Sequence, residues 1–106
     1  MKLVLLLSAA VVCLAQDPTT GRKLFTNDGC YECHGREAQG GSAGPRLGPK
    51  PIALAALTAY VRAPKGQMPP YTAKVVSDKD LADIYAFLQS VKEPPAVKDV
   101  PLLREP

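Results

Sequence analysis

The feature that most constrains this chain is the segment Cys30-Tyr31-Glu32-Cys33-His34. Two cysteines separated by two residues and followed at once by histidine form the pattern for covalent attachment of a c-type haem. Because both thiols lie on one short turn, each can add to one vinyl group of the same haem. The next residue then lies beside the iron, so we expect the imidazole of His34 to be the proximal ligand. The pattern therefore predicts one covalently bound haem c per chain.

The rest of the sequence limits the other uses of this motif. His34 is the only histidine, and the only further cysteine is Cys13, so a Cys2His2 zinc site cannot be assembled. A thioredoxin-like redox pair would need strands and helices in βαβ order around the cysteines. The neighbouring sequence instead contains glycines, prolines and short helical patterns. A dithiol redox pair remains the alternative interpretation.

A second iron ligand is suggested by the only methionine after Met1, which is Met68. Methionine opposite histidine is the ligand pair of electron-transfer haem proteins. Pro64 precedes it and Pro69-Pro70 follows it, so a continuous helix is prevented and a stiff loop is expected. Such a loop could hold one sulfur at a fixed distance from an iron. The alternative is that Met68 fills a gap in the apolar core.

Taken together, these features resemble a class I cytochrome c, a small mono-haem protein of the bacterial periplasm. The resemblance runs from Gly21 to about Val91, and so covers nearly all of the chain that would remain after export. It implies an all-α fold, in which three main helices and their loops wrap around one haem. The segments that carry it are Gly21-x-x-x-Phe25, Cys30-x-x-Cys33-His34, Gly44-Pro45-x-Leu47, Tyr60-Val61-Arg62-x-Pro64, Met68-Pro69-Pro70 and Ile84-x-x-Phe87-Leu88.

The resemblance also implies roles for residues that the motif alone does not identify. The carbonyl of Pro45 would accept a hydrogen bond from the imidazole nitrogen of His34 that does not bind iron. Leu47 would then pack against the haem face. The alternative for Pro45 is a simple turn proline. The resemblance further implies that Gly21 and its aromatic neighbour Phe25 face the last helix, and meet residues Ile84 and Phe87.

The first residues read as an export signal. Lys2 precedes an apolar stretch at residues 3–14, and Ala15 precedes polar Gln16, so we expect cleavage after Ala15. A cytochrome c domain would then span residues 16–93, followed by a proline-rich tail at residues 94–106. A retained membrane anchor is the alternative, and lipid attachment at Cys13 is disfavoured by the bulky Val12. Export predicts a soluble periplasmic protein without stable membrane insertion.

Local signals predict three longer helices. Asp17-Pro18 should open the first helix, which runs to about Asn27. A second helix should follow Pro49-Lys50-Pro51, and the glycine-rich stretch at residues 35–48 should be a loop. A capping box at Ser77 and Asp80 should open the last helix. The apolar stripes that we expect are Leu54, Leu57, Thr58 and Val61 in the second helix, and Leu81, Ile84, Tyr85 and Leu88 in the last, with Phe87 and Val91 at its margins.

Size and charge favour a small redox protein over a nucleic-acid binder. The chain has 106 residues and a net charge of +3, which loss of Lys2 and two haem propionates would bring close to zero. No basic run or aromatic interleaving marks a nucleic-acid surface. Tyr60 and Arg62 are candidates to hydrogen-bond a propionate, with solvated surface roles as the alternative. Tyr71 is a candidate to brace the Met68 loop.

The predicted function is one-electron transfer between larger redox proteins. An iron with both axial positions filled by His34 and Met68 has no open position for substrate, so we expect a carrier and not an enzyme. Its partners would be redox donors and acceptors that dock transiently, such as a periplasmic dehydrogenase or a terminal oxidase. The alternatives are a ligand-sensing haem protein with a displaceable Met68, and an electron-accepting subunit of a periplasmic dehydrogenase.

Overall fold

The computed structural model describes residues 15–103, and this part of the chain is helical without any strand. The expectation of an all-α fold is therefore confirmed for these residues. The predicted export signal lies outside the described residues except for Ala15. The elements are α1 (Pro18–Asn27), α2 (Cys30–His34), α3 (Leu54–Arg62) and α4 (Asp78–Ser90), followed by short 3-10 turns at Val97–Asp99 and Pro101–Leu103.

Both long helices begin where their capping residues predict. The side chain of Asp17 accepts a hydrogen bond of 2.9 Å from the amide of Thr19, and Pro18 occupies the first helical position of α1. At α4, the amide of Asp80 donates to Ser77 Oγ at 3.0 Å, and the amide of Ser77 donates back to Asp80 Oδ2 at 3.0 Å. These bonds satisfy amides that have no partner within the helix.

The core is centred on the crossing of α1 and α4. The rings of Phe25 and Phe87 lie 5.2 Å apart at an angle of 60°, and each residue is only 1% exposed. Gly21 lies directly against the backbone of Asp83 and Ile84. The contacts expected between these two helices are therefore confirmed, and a tilted aromatic pair of this kind adds to the stabilisation from buried apolar area.

The buried face of α4 differs from the predicted one. Phe87 was expected at its margin and lies at its centre, whereas Tyr85 is only half-buried. The reason is that α1 brings Phe25 onto the side of α4 that carries Phe87. Asp83 is also buried, and it lies against the start of α1.

Asp83 is buried because two donors reach its carboxylate. Lys79 Nζ lies 2.6 Å from Asp83 Oδ2, and the amide of Asp17 donates to Asp83 Oδ1 at 2.9 Å. These hydrogen bonds lower the pKa of Asp83, with that from Lys79 contributing most. The Asp83 carboxylate thus joins the start of α1 to α4.

The remaining elements of the described chain are α3, which packs against α4, and the loops on either side of α3. In α3, Leu57 and Val61 are buried, and the carbonyl of Val61 accepts a hydrogen bond of 3.0 Å from the amide of Tyr71. Residues 35–48 form the expected loop without regular structure. Within residues 15–103, no helix has both the length and the apolar character needed to cross a membrane.

Candidate functional site

The three residues of the attachment motif lie on one short helix. Cys30, Cys33 and His34 all belong to α2, which Gly29 and Gly35 enclose with left-handed φ angles of 79° and 82°. Glycine is favoured at both positions because other residues rarely adopt a positive φ. Cys30 is half-buried, Cys33 is exposed, and both thiols are free. One short helix thus carries both thiols and the imidazole, which is its last residue.

His34 is held by the loop that follows it. Its Nδ1 lies 2.8 Å from the carbonyl oxygen of Pro45, and the residue is only 8% exposed. A carbonyl can only accept a hydrogen bond, so Nδ1 carries the proton and donates. In the neutral ring the lone pair then lies on Nε2, and within residues 15–103 the ring makes no hydrogen bond other than that of Nδ1. Nε2 is therefore available to a metal ion.

Gly44 allows this loop to approach the ring. A Cβ at residue 44 would lie 3.0 Å from the carbonyl oxygen of Cys33 and 3.1 Å from His34 Nδ1. Both distances are shorter than ordinary van der Waals contact, so a side chain would push the loop away from the histidine. Sequence reasoning assigned no role to Gly44, although its place beside Pro45 was an available signal.

Several apolar side chains pack against the core and are only half-buried. Leu47 and Met68 both pack against the core while keeping part of their surface exposed, and so do Leu54 and Tyr71. The amide of Leu47 donates to the carbonyl of Ala38 at 2.9 Å, which anchors the loop at this end. An apolar ligand could cover these side chains. With two free thiols and an Nε2 atom that no described residue bonds, the donor set fits haem c.

The turn before the motif contains a carboxyl group in an unfavourable environment. Asp28 Oδ2 is buried without a hydrogen-bond partner among the described residues, and burial, followed by the charge of Asp80, raises the pKa of Asp28. Burial, together with the charge of Asp28, raises the pKa of the Cys30 thiol to about 11. This thiol is therefore neutral near pH 7.

Tyr71 connects the Met68 loop to this turn. Its hydroxyl donates a hydrogen bond of 2.8 Å to the backbone carbonyl of Asp28, which is two residues before Cys30. Its amide donates to Val61 at the end of α3. Tyr71 therefore links the segment after Met68 both to the attachment motif and to α3.

Arg62 and Tyr60, considered above as propionate partners, are hydrogen-bonded within the protein. Arg62 Nη1 donates to the carbonyls of Tyr71 and Val76 at 3.1 and 2.6 Å, and Nη2 lies 2.8 Å from Asp78 Oδ1. The hydroxyl of Tyr60 donates to the carbonyl of Lys65 at 3.1 Å. Sequence reasoning missed these contacts, since they join residues up to sixteen positions apart.

A second arginine, Arg22, joins α1 to the loop after α2. Arg22 forms two hydrogen bonds with the Glu37 carboxylate, at 2.7 and 2.8 Å, and its guanidinium lies 4.7 Å from the centre of the Phe87 ring. Both members of the ion pair are about half exposed. Exposed pairs of this kind contribute about 0–1 kcal/mol, so Arg22 serves mainly to attach the loop after α2 to α1.

Comparison with known proteins gives a family match that covers this site and one curated relative. Residues 16–88 match the family model described as cytochrome C oxidase, cbb3-type, subunit III. A curated relative from Bacillus subtilis (strain 168), the menaquinol:cytochrome c reductase cytochrome c subunit, is 38% identical over 71 residues. That match covers 64% of this chain but only 26% of the relative. No solved structure matches the chain significantly.

Proposed function

The chain belongs to the family described as subunit III of cbb3-type cytochrome c oxidase, and from this membership we propose an exported mono-haem carrier of single electrons. As a small c-type cytochrome it binds haem c covalently and takes part in electron transfer. The iron of the bound haem supplies a reversible one-electron couple. The proposal concerns which residues hold the haem, and whether the protein acts by itself or within a complex.

The hydrogen bond between His34 and Pro45 is the observation that carries the proposal. It places the proton on Nδ1 and directs the Nε2 lone pair away from the loop, as a proximal ligand requires. Cys30 and Cys33 would form the two thioethers. Since all three residues lie on α2, covalent attachment would bring His34 to the iron without further rearrangement.

Met68 is proposed as the second axial ligand. It is half-buried, and it packs against the core together with Leu47, which is proposed to contact the haem face. Apolar side chains around an iron exclude water and favour the reduced, less charged state. With His34 and Met68 both bound, no coordination position remains for a substrate, and this supports a carrier over an enzyme.

A second candidate function is that of an electron-accepting subunit within a larger complex. The observation in its favour is the similarity to the Bacillus subtilis protein, which is by name a subunit of a menaquinol:cytochrome c reductase. The chain spans only 26% of that relative, so the activity of the whole relative is not assumed. Donors and acceptors such as a periplasmic dehydrogenase or a terminal oxidase are proposed as partners, with the tail at residues 94–106 as a docking element.

Cleavage after Ala15, a haem domain at residues 16–93 and a periplasmic location complete the proposal. Mass spectrometry of the exported protein tests the cleavage, and a retained N-terminus would favour a membrane anchor.

Purification under mild conditions distinguishes an independent electron carrier from a subunit of a larger complex. A protein that elutes alone is expected for a carrier, whereas stable association with a dehydrogenase would favour the subunit.

Absorption spectra of protein matured in a periplasm with haem-attachment machinery test the ligands. We expect covalently held, low-spin haem that shows the near-infrared methionine-to-iron band and does not bind carbon monoxide when reduced. Met68→Ala should bind carbon monoxide with its haem still attached. Val75→Ala is the control, since Val75 is 60% exposed in the same segment. Carbon monoxide binding by the wild type would favour sensing, and absence of attached haem would remove the basis of the proposal.

A further inference from the structure

Arg62, the last residue of α3, joins that helix to the segment that follows Met68. Its side chain is only 23% exposed, and Nη1 donates to two backbone carbonyls, those of Tyr71 and Val76. Val76 is itself 2% exposed, so the acceptor belongs to a packed part of the chain. Because one of these acceptors lies three residues after Met68, Arg62 acts on the loop that carries the sulfur.

Two further contacts join the end of α3 to the chain that follows Met68. Arg62 Nη2 pairs with Asp78 in the first turn of α4 at 2.8 Å. The amide of Tyr71 donates to the carbonyl of Val61, which is adjacent to Arg62 in α3. Residues 71 and 76 of the connecting segment and residue 78 of α4 are thus all hydrogen-bonded to the C-terminal end of α3.

The Met68 loop has few means of holding itself in place. It lies outside any helix, and Pro64, Pro69 and Pro70 supply no amide donors. A ligand on such a loop depends on how the ends of the loop are held. Loss of an end contact should therefore change how often the sulfur leaves the iron, without disturbing residues 30–34.

We propose that Arg62 is a positioning residue, which holds the Met68 segment against α3 and so limits displacement of Met68 from the iron. This rests on the proposed ligation by Met68. Arginine is suited to the task because its planar guanidinium reaches two carbonyls and a carboxylate at once. Lysine keeps the charge but not this geometry, so Arg62→Lys separates the positioning role from a simple charge effect on the haem.

The experiment titrates the oxidised holoprotein with imidazole at neutral pH and follows the near-infrared band. Imidazole binds only when Met68 has left the iron, so its apparent affinity rises with the fraction of molecules in the open state. Loss of hydrogen bonds to a charged donor should make binding about tenfold tighter in Arg62→Ala, and nearly as much in Arg62→Lys. Arg62→Lys alone decides the outcome if Arg62→Ala does not fold.

Arg22→Lys is the matched control, since Arg22 is also paired with a carboxylate but belongs to α1 and contacts Phe87 and the loop after α2. It should bind imidazole as the wild type does. Unchanged imidazole affinity in folded Arg62 variants that retain the band would overturn the positioning role and leave Met68 ligation intact. A wild-type protein without the band would instead overturn the ligation, and the positioning role with it. Equal tightening in Arg22→Lys would also overturn the proposal, because the effect would then be general destabilisation.

Discussion

Gly21 lies so close to Asp83 that a methyl group on its Cα would overlap the backbone carbonyl of Asp83. This contact sets the distance between α1 and α4, and the tilted pair of Phe25 and Phe87 lies one turn further along. Glycine inside a helix costs about 1 kcal/mol relative to alanine. The cost is offset by the close packing of the two backbones.

Gly21→Ala should therefore destabilise the protein although alanine is the better helix former. The group that the new methyl meets is backbone, which cannot rotate away, and overpacking of this kind costs about 1–3 kcal/mol. Denaturant unfolding of the holoprotein measures the change. Gly41→Ala is the control, because a Cβ at Gly41 meets nothing within 4 Å. A Gly21→Ala protein as stable as the wild type would show that the helices can separate at little cost.

Gly44→Ala should raise the reduction potential of the haem. In the wild type, the hydrogen bond from His34 to Pro45 increases the electron density on the imidazole and so favours the oxidised iron. The added methyl would crowd His34 and weaken this hydrogen bond. Since a hydrogen bond contributes about 1 kcal/mol, the rise should not exceed about 40 mV in a one-electron couple. Redox titration measures it, with Gly41→Ala again as the control. A lower potential would contradict the role of this contact.

Cys30→Ala and Cys33→Ala should each weaken covalent retention of haem, and the double variant should abolish it. Each variant leaves one thiol on α2 able to form a single thioether. Haem staining after denaturing electrophoresis, together with the mass of the chain, reports the attachment. Glu32→Ala keeps both thiols and serves as the control. Unchanged retention in either single variant would contradict attachment through two thioethers.

Asp83→Asn should destabilise the protein by about 1–3 kcal/mol near neutral pH, because two hydrogen bonds to a charged acceptor are weakened. The pKa of Asp83 is lower in the folded protein than in the unfolded chain, mainly because Lys79 donates to it. Its stabilisation is thus complete above the unfolded-state pKa of about 3.9 and is lost as pH falls through the lower folded-state value.

Urea unfolding between pH 6 and pH 3 tests this dependence. The difference in stability between wild type and Asp83→Asn should shrink as the pH falls. Asp99→Asn removes a carboxylate that is exposed in the tail and should show no such trend. A difference that stays constant with pH would mean that the Asp83 carboxylate is not stabilised in its charged form.

Features that depend on neighbouring residues could be predicted from the sequence. The caps at Asp17 and Ser77 determine where α1 and α4 begin, because each side chain bonds an amide two or three residues away. The prolines around Met68 likewise exclude a helix there. The ligand role of Met68 stays a prediction, since it depends on haem.

The α1–α4 contact was expected from the family resemblance, but other long-range contacts have no local signal. Phe87, and not Tyr85, is central to the face of α4, because α1 covers that side. Arg62 carries no local signal for its three acceptors, which become neighbours only when α3 and α4 are packed together. The buried position of Asp83 similarly depends on the arrival of Asp17 from 66 residues away.

By itself, therefore, the sequence predicts the attachment chemistry, since Cys30, Cys33 and His34 lie within five residues and need only one short helix to come together. It also determined the helix boundaries, which depend on bonds within a few residues. The hydrogen bond that orients His34 was expected only from the family resemblance, and only the tertiary structure decided that Arg62 holds the Met68 loop. The physical reason is that Pro45 and Arg62 act through hydrogen bonds across the fold, and these form only when helices and loops have packed.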